Sequence, residues 1–135
     1  MESIIEESSN IKLFKTFDEM SLSEGLLRGI YGHGFEKPSQ IQQKGIVPVK
    51  EGRDILAQAQ SGTGKTGTFC IGALSRMDPS LKVPQVLVMV PTRELAQQIE
   101  TVARALGLHL GISVYCAVGG TELHHDLRAL SAGAQ

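Results

Sequence analysis

Long hydrophobic runs are missing from this sequence: no apolar stretch approaches the roughly 20 residues that a membrane-spanning helix needs. Basic residues are missing from its start. MESIIEESSN carries three acidic residues and lacks the basic opening and long apolar stretch of a secretory signal. A soluble intracellular protein, with no membrane partner, is the expectation. An excess of positive charge is missing as well. The net charge is −1, whereas a protein that holds nucleic acid by bulk electrostatics is basic. Nucleic-acid contact therefore has to come from a local site or from another domain. Cysteine is scarce. Cys70 and Cys116 lie far apart, match no zinc spacing and are expected as free, mostly buried thiols. His124 and His125 are adjacent, so a helix points them about 100° apart, which argues against a shared metal. These two, with His33 and His109, are read as helix-surface residues.

What remains is ordinary for a folded chain. Hydrophobic residues at 41% and charged residues at 20% argue against disorder, and 135 residues fit one domain. Residues 1–13 are expected as a flexible acidic tail and 14–135 as the folded part. Ser21-Leu22-Ser23-Glu24 reads as a capping-box start, followed by Leu22, Leu26, Leu27 and Ile30 at helical spacing. Gly32 and Gly34 are placed to end that helix. A second helix is expected between Pro38 and Pro48, with Ile41 and Ile46 apolar and the second proline closing it. Residues 54–58 form a candidate strand. The run VLVMV at 86–90 has no polar interruption, the pattern of a parallel strand buried on both faces. A long helix follows to about Leu106, with Leu95, Ile99, Val102, Ala103 and Leu106 as its apolar stripe. Residues 112–118 are a third strand and 121–130 a last short helix. This alternation predicts an α/β fold, a parallel sheet with helices on both faces.

Ala59-Gln60-Ser61-Gly62-Thr63-Gly64-Lys65-Thr66 is a glycine-rich turn between a candidate strand and a helix, the pattern of a phosphate-binding P-loop. Successive backbone N–H groups in such a turn face one concavity, and the helix N-terminus adds its own. Gly62 and Gly64 permit the backbone angles and the close ligand approach. Lys65 supplies charge to the β and γ phosphates, and the Thr66 hydroxyl is placed for Mg²⁺. The loop does not choose a base. Gln42 can, because an amide pairs its donor and acceptor with N6 and N7 of adenine, with Phe17 against the base. Ser39-x-x-Gln42 is equally a capping box, and these residues leave both roles open. Thr92 and Arg93 at a helix start can take a phosphate, or can be a cap and a solvated arginine. Gly119-Gly120 can let a phosphate backbone approach, or can simply turn the chain.

Together, FDEM at Phe17, GFEKPSQIQ at 34–42, AQSGTGKT at 59–66, PTRELA at 91–96 and VGG at 118–120 resemble a DEAD-box RNA helicase, most of all the eukaryotic initiation factor 4A group. The likeness runs from about Phe14 to Gln135 and implies a RecA-like P-loop NTPase domain, present in part, that uses ATP and Mg²⁺. It implies that Gln42, with Phe35, Lys37 and Phe17, reads adenine, and that Gln60, Ser61, Gly62, Thr63, Gly64, Lys65 and Thr66 hold the phosphates and Mg²⁺. Thr92, Arg93, Gly119 and Gly120 become contacts to an RNA backbone. The implied partners are single-stranded or structured RNA, not DNA, and a translation initiation scaffold protein. The implied location is the cytoplasm, or the nucleus for a paralogue.

One departure from the family pattern is large. No Asp-Glu-Ala-Asp string occurs, nor a Ser-Ala-Thr string, and no arginine fingers of a second domain. Electrostatic stabilisation is nearly all of catalysis in phosphoryl transfer. The expectation is an ATP-binding portion of a helicase with little or no activity alone. The alternative is a short non-catalytic module that binds ATP, RNA or a translation factor. An Asn-Lys-x-Asp string, which would read guanine, is absent.

Overall fold

A computed structural model of the chain describes residues 11–135; the acidic residues 1–10 lie outside the described part, and 11–13 are exposed and without regular structure. A 3-10 turn at Asp18–Met20 precedes α1 (Glu24–Gly32), α2 (Gln40–Lys50), α3 (Lys65–Leu74), α4 (Arg93–Leu106) and α5 (Leu123–Ser131). No described helix is long and apolar enough to cross a membrane.

The helix starts follow local chemistry. The Ser23 hydroxyl accepts from Leu26 N–H at 3.3 Å and caps α1. The expected cap lay two residues earlier, but Ser21 takes a left-handed φ of 55° that closes the 3-10 turn, so the cap moves to Ser23. Helix α1 ends at Gly32, and Gly34 takes the positive φ beyond it. Helix α2 runs through Pro48 to Lys50 instead of closing there. The proline ring removes one i→i−4 bond, while Val47 O and Pro48 O still accept from Glu51 N–H and Arg53 N–H beyond it.

Helix α2 packs along α3, α1 against α4, and α3 against α4. Leu26, Ile30, Ile46, Ile71, Ile99 and Leu106 are buried between them, and Leu95, Val102 and Ala103 pack onto this core as their spacing required. Burial of each large aliphatic side chain contributes about 1.5–3 kcal/mol. Gly29 makes the α1–α4 crossing possible, since a Cβ there would sit 1.9 Å from the Leu106 carbonyl oxygen.

The three candidate strands are extended, but among the described residues none is paired into a strand ladder. The VLVMV run is not buried on both faces. Leu87 and Met89 are each 84% exposed, whereas Val90 packs on the core. Residues 112–118 alternate in the same way, even positions half-buried and odd positions exposed. Side chains alternate along an extended chain, so one face of each of these two segments is the more covered and the other meets solvent, whereas residues 54–58 are exposed throughout. The segments at 85–86 and 113 are joined through Gln135: its carbonyl accepts from Gln85 N–H and Val86 N–H, and its N–H donates to Ser113 O.

Cys70 is buried and Cys116 half-buried, both free, as expected. Burial pushes the Cys70 thiol up to about 12. His33 and His109 are exposed but lie in turns, not on helices. His124 and His125 are exposed on α5, yet their ring centroids are only 4.4 Å apart.

Candidate nucleotide site

Residues 59–64 lead into α3 as a turn, with φ of 77° at Gly62 and 98° at Gly64. Both values suit glycine and are strained for other residues. Among the described residues, no protein group accepts a hydrogen bond from the backbone N–H of Ser61, Gly62, Thr63 or Gly64. Four consecutive unpaired donors beside the first turn of a helix are what an anion requires. Lys65, the first residue of α3, bends its ammonium back to donate to the Ala59 carbonyl. The Thr63 hydroxyl donates to Gln60 O at 2.5 Å, so the loop closes on itself around the lysine. Thr66 is half-buried one residue on.

Gln42 ties the second segment to this loop. It is 2% exposed. Its Oε1 accepts from Ser39 N–H at 3.0 Å, and its Nε2 donates to Gly64 O at 3.3 Å. The capping-box residues are thus in place. Its strong half is the bond from Ser39 N–H; the Ser39 hydroxyl is buried with no partner within hydrogen-bonding distance. Cap and loop contact coexist, so the two roles open to Gln42 are not exclusive. Phe35 lies over the start of α3, where a Cβ on Gly67 would stand 3.1 Å from its ring. Lys37 is exposed nearby in sequence. Phe17 is wholly buried: its ring stacks on Phe35 at 6.4 Å and meets Tyr31 edge-on at 6.1 Å. In this arrangement neither face of Phe17 is open to a base.

Thr68 escaped the sequence reading. It is buried, and its hydroxyl donates to Gly64 O at 2.9 Å, the carbonyl that Gln42 also reaches. A threonine four residues into a helix after a glycine turn is the signal that was there to be read. Lys50 escaped too; its ammonium donates to Met20 O at 3.0 Å and Ser21 O at 2.7 Å, holding the Phe17 turn against α2.

A second group forms at the start of α4. The Thr92 hydroxyl accepts from Leu95 N–H at 3.2 Å and is the cap. The Arg93 guanidinium donates to the Gly119 carbonyl, and Gly120, with φ 92°, leaves space beside it. Thr92, Arg93, Gly119 and Gly120 are therefore neighbours, although 26 positions separate Arg93 from Gly119.

Residues 39–135 match the family model of the DEAD/DEAH box helicases. The chain belongs to that family. It is 59% identical over 124 residues to the ATP-dependent RNA helicase eIF4A of Eremothecium gossypii, covering 92% of this chain and 31% of that protein. The chain therefore spans about a third of the length of such relatives. A DEAD box protein from the hyperthermophile Methanococcus jannaschii superposes with a TM-score of 0.85 at 31% identity, over 91% of this chain and 34% of that one. S. cerevisiae Dbp5 bound to RNA and ADP BeF3 gives 0.73 at 35% identity, over 82% and 30%. The fold is accordingly that of a RecA-like DEAD-box helicase domain.

Proposed function

We propose that this chain is the ATP-binding portion of an ATP-dependent RNA helicase that acts in translation initiation. One observation carries the reading: Gln42 bonds directly to the carbonyl of Gly64, within a loop whose four preceding amides have no protein partner. A base reader and a phosphate cradle then form one rigid unit. Each end of the Gln42 amide keeps spare capacity, a second N–H and a second lone pair, so adenine can be read without breaking the cap.

In this reading the amides of 61–64, with Gln60 at the loop entrance, hold the phosphate oxygens. Lys65 exchanges its carbonyl partner for the β and γ phosphates, and the Thr66 hydroxyl ligates Mg²⁺. Bound Mg²⁺ neutralises developing phosphate charge. Phe35 and Lys37 border the base, and Phe17 acts by fixing Phe35. Thr92, Arg93, Gly119 and Gly120 form the edge for an RNA backbone. That the similar S. cerevisiae Dbp5 is bound to RNA as well as ADP BeF3 supports an RNA-contacting role. Residues 54–58, 86–90 and 112–118 are read as strands of a parallel sheet, supported for the last two by their alternating exposure. The initiation-factor relatives support a translation role; a cytoplasmic location and an initiation scaffold protein as partner follow from that role in this reading.

These 135 residues contain no Asp-Glu-Ala-Asp string, so the chain alone is expected to bind ATP without appreciable turnover. Titration calorimetry with ATP and GTP tests the site. The expected result is a preference for ATP of roughly tenfold or more, lost in Gln42→Ala, with binding of both nucleotides lost in Lys65→Ala. Equal affinity for ATP and GTP in the unaltered chain sinks the base assignment. Retained binding in Lys65→Ala sinks the phosphate assignment, and Mg²⁺-dependent turnover abolished by that variant overturns the expectation of inactivity.

A further inference from the structure

We propose that Glu122, His124 and His125 form a divalent transition-metal site at the start of α5, suited to Zn²⁺. The Nε2 atoms of His124 and His125 lie 3.1 and 3.7 Å from the same Glu122 Oε2. One ligand atom from each residue lies within 4.8 Å of the others. A tetrahedral ion with bonds of about 2.0–2.1 Å spaces its ligands roughly 3.3 Å apart. The two Glu–His separations are already close to that spacing, and the exposed histidine side chains are free to turn the third pair toward it.

The positions in the helix explain why adjacent histidines meet. Glu122 is the N-cap, with φ −72° and ψ 128°, so it stands outside the helical turn. From there its carboxylate crosses back over the first turn and reaches both rings, which are tilted together at 4.4 Å. The 100° separation expected within a regular helix is bridged by a ligand that precedes the helix. Two imidazoles and one carboxylate suit Zn²⁺ and its neighbours in the transition series, whereas Mg²⁺ and Ca²⁺ prefer all-oxygen sets. The positive end of the α5 dipole opposes a cation here; the Glu122 carboxylate offsets it. Asp126, the other acidic group of the first turn, is engaged by the Tyr115 hydroxyl at 2.6 Å. All three candidate ligands are exposed, which leaves the remaining coordination positions to water and makes the site exchangeable. The three lie in a different segment from the nucleotide loop, and the proposal stands without it.

The competing description is a pair of exposed Glu–His ion pairs with no affinity for metal. Titration of Zn²⁺ into the 135-residue chain, free of nucleotide and Mg²⁺, separates the two. One ion per chain is expected. Glu122→Gln, His124→Ala and His125→Ala should each weaken binding by at least about tenfold, the lower end of what even the loss of a supporting residue costs, and the His124→Ala, His125→Ala double variant should abolish it. Binding should also weaken on acidification, because only neutral imidazole ligates. A His33→Ala, His109→Ala, Cys116→Ala variant should bind as before. No binding, or unchanged binding in the His124→Ala, His125→Ala double variant, overturns the proposal. These side chains are exposed, so a circular dichroism spectrum suffices to show that each variant is folded.

Discussion

The helical wall and the extended layer of this molecule both carry large aliphatic side chains and differ sharply in how far they bury them. Ile46 on α2 and Ile71 on α3 are fully buried, whereas Leu56 is 104% exposed and Leu87 84%. The difference follows from how each kind of segment satisfies its backbone. A helix closes its own hydrogen bonds and needs only one covered stripe. An extended segment needs neighbours for its amides as well as for two faces of side chains. The helices therefore reach their packed state from contacts on one side, while the segments at 86–90 and 112–118 are covered on one face only and 54–58 stays exposed. The proposed nucleotide site belongs to the helical wall, because Gln42 on α2 and Gly64 at the head of α3 are joined directly.

The sharpest way to break this comparison is truncation on each side of it. Ile46→Ala should cost about 2–5 kcal/mol, the range for a buried large-to-small change, while Leu87→Ala should stay within about 0.5 kcal/mol. Urea denaturation of the two variants reads both values. Equal losses would mean that the extended layer is as well covered as the helices. Gly29→Ala extends the test to a helix crossing. Alanine favours a helix by about 1 kcal/mol over glycine, yet its Cβ would meet the Leu106 carbonyl. A net loss of about 1–3 kcal/mol is expected from overpacking, and a gain would show that α1 and α4 are not held at that distance.

Gln42→Ala should cost about 1–3 kcal/mol, since it removes the acceptor of Ser39 N–H and a donor to Gly64 O in a buried place. Lys65→Ala, at an exposed position, should leave the denaturation midpoint almost unchanged. If stability and nucleotide binding fell together in both variants, Lys65 would be a structural residue and not a ligand.

Much of this wall was legible in the sequence. The spacing of Leu22, Leu26, Leu27 and Ile30, and of Leu95, Ile99, Val102, Ala103 and Leu106, places the core correctly because helical periodicity is a local property. The P-loop was legible for the same reason: its glycines encode positive φ at Gly62 and Gly64. Register at the ends was not. Ser21 and Ser23 are both good caps, and only the preceding 3-10 turn decides between them. Burial of VLVMV was also beyond reach, since it depends on which partners flank the segment and not on the segment itself. The fate of Phe17 and the meeting of Arg93 with Gly119 are long-range facts that no local pattern contains.

Alkaline pH probes the wall from inside. The buried Cys70 thiol is raised from 9.0 to about 12 by burial. Between those values the unfolded chain gives up its proton and the folded chain keeps it, so stability is intact below pH 9 and falls as pH rises through the interval. A loss of about 1.4 kcal/mol per pH unit is the upper limit for one such group. Comparing the wild type with Cys70→Ala at pH 9 and 10 isolates the contribution, and an identical slope in the two would mean that Cys70 reaches water in the folded state.

A small and mainly local effect is expected at the seam between the two regions. Arg104 on α4 pairs with Glu100 at 2.8 Å and also donates to Val114 O at 2.6 Å, reaching from the helix to the extended segment. An exposed i,i+4 pair adds about 0.3–0.5 kcal/mol and one hydrogen bond about 1 kcal/mol. Arg104→Ala should therefore lower global stability by about 1.5 kcal/mol at most. Its local signature should be clearer: faster amide hydrogen exchange along 112–118, with α2 and α3 unaffected. Slower or unchanged exchange there would mean that the segment is held by its half-buried even-numbered side chains alone, and that the tether contributes nothing. Either result locates what keeps the extended layer against the helices, since Arg104 is a direct polar link from α4 to that segment.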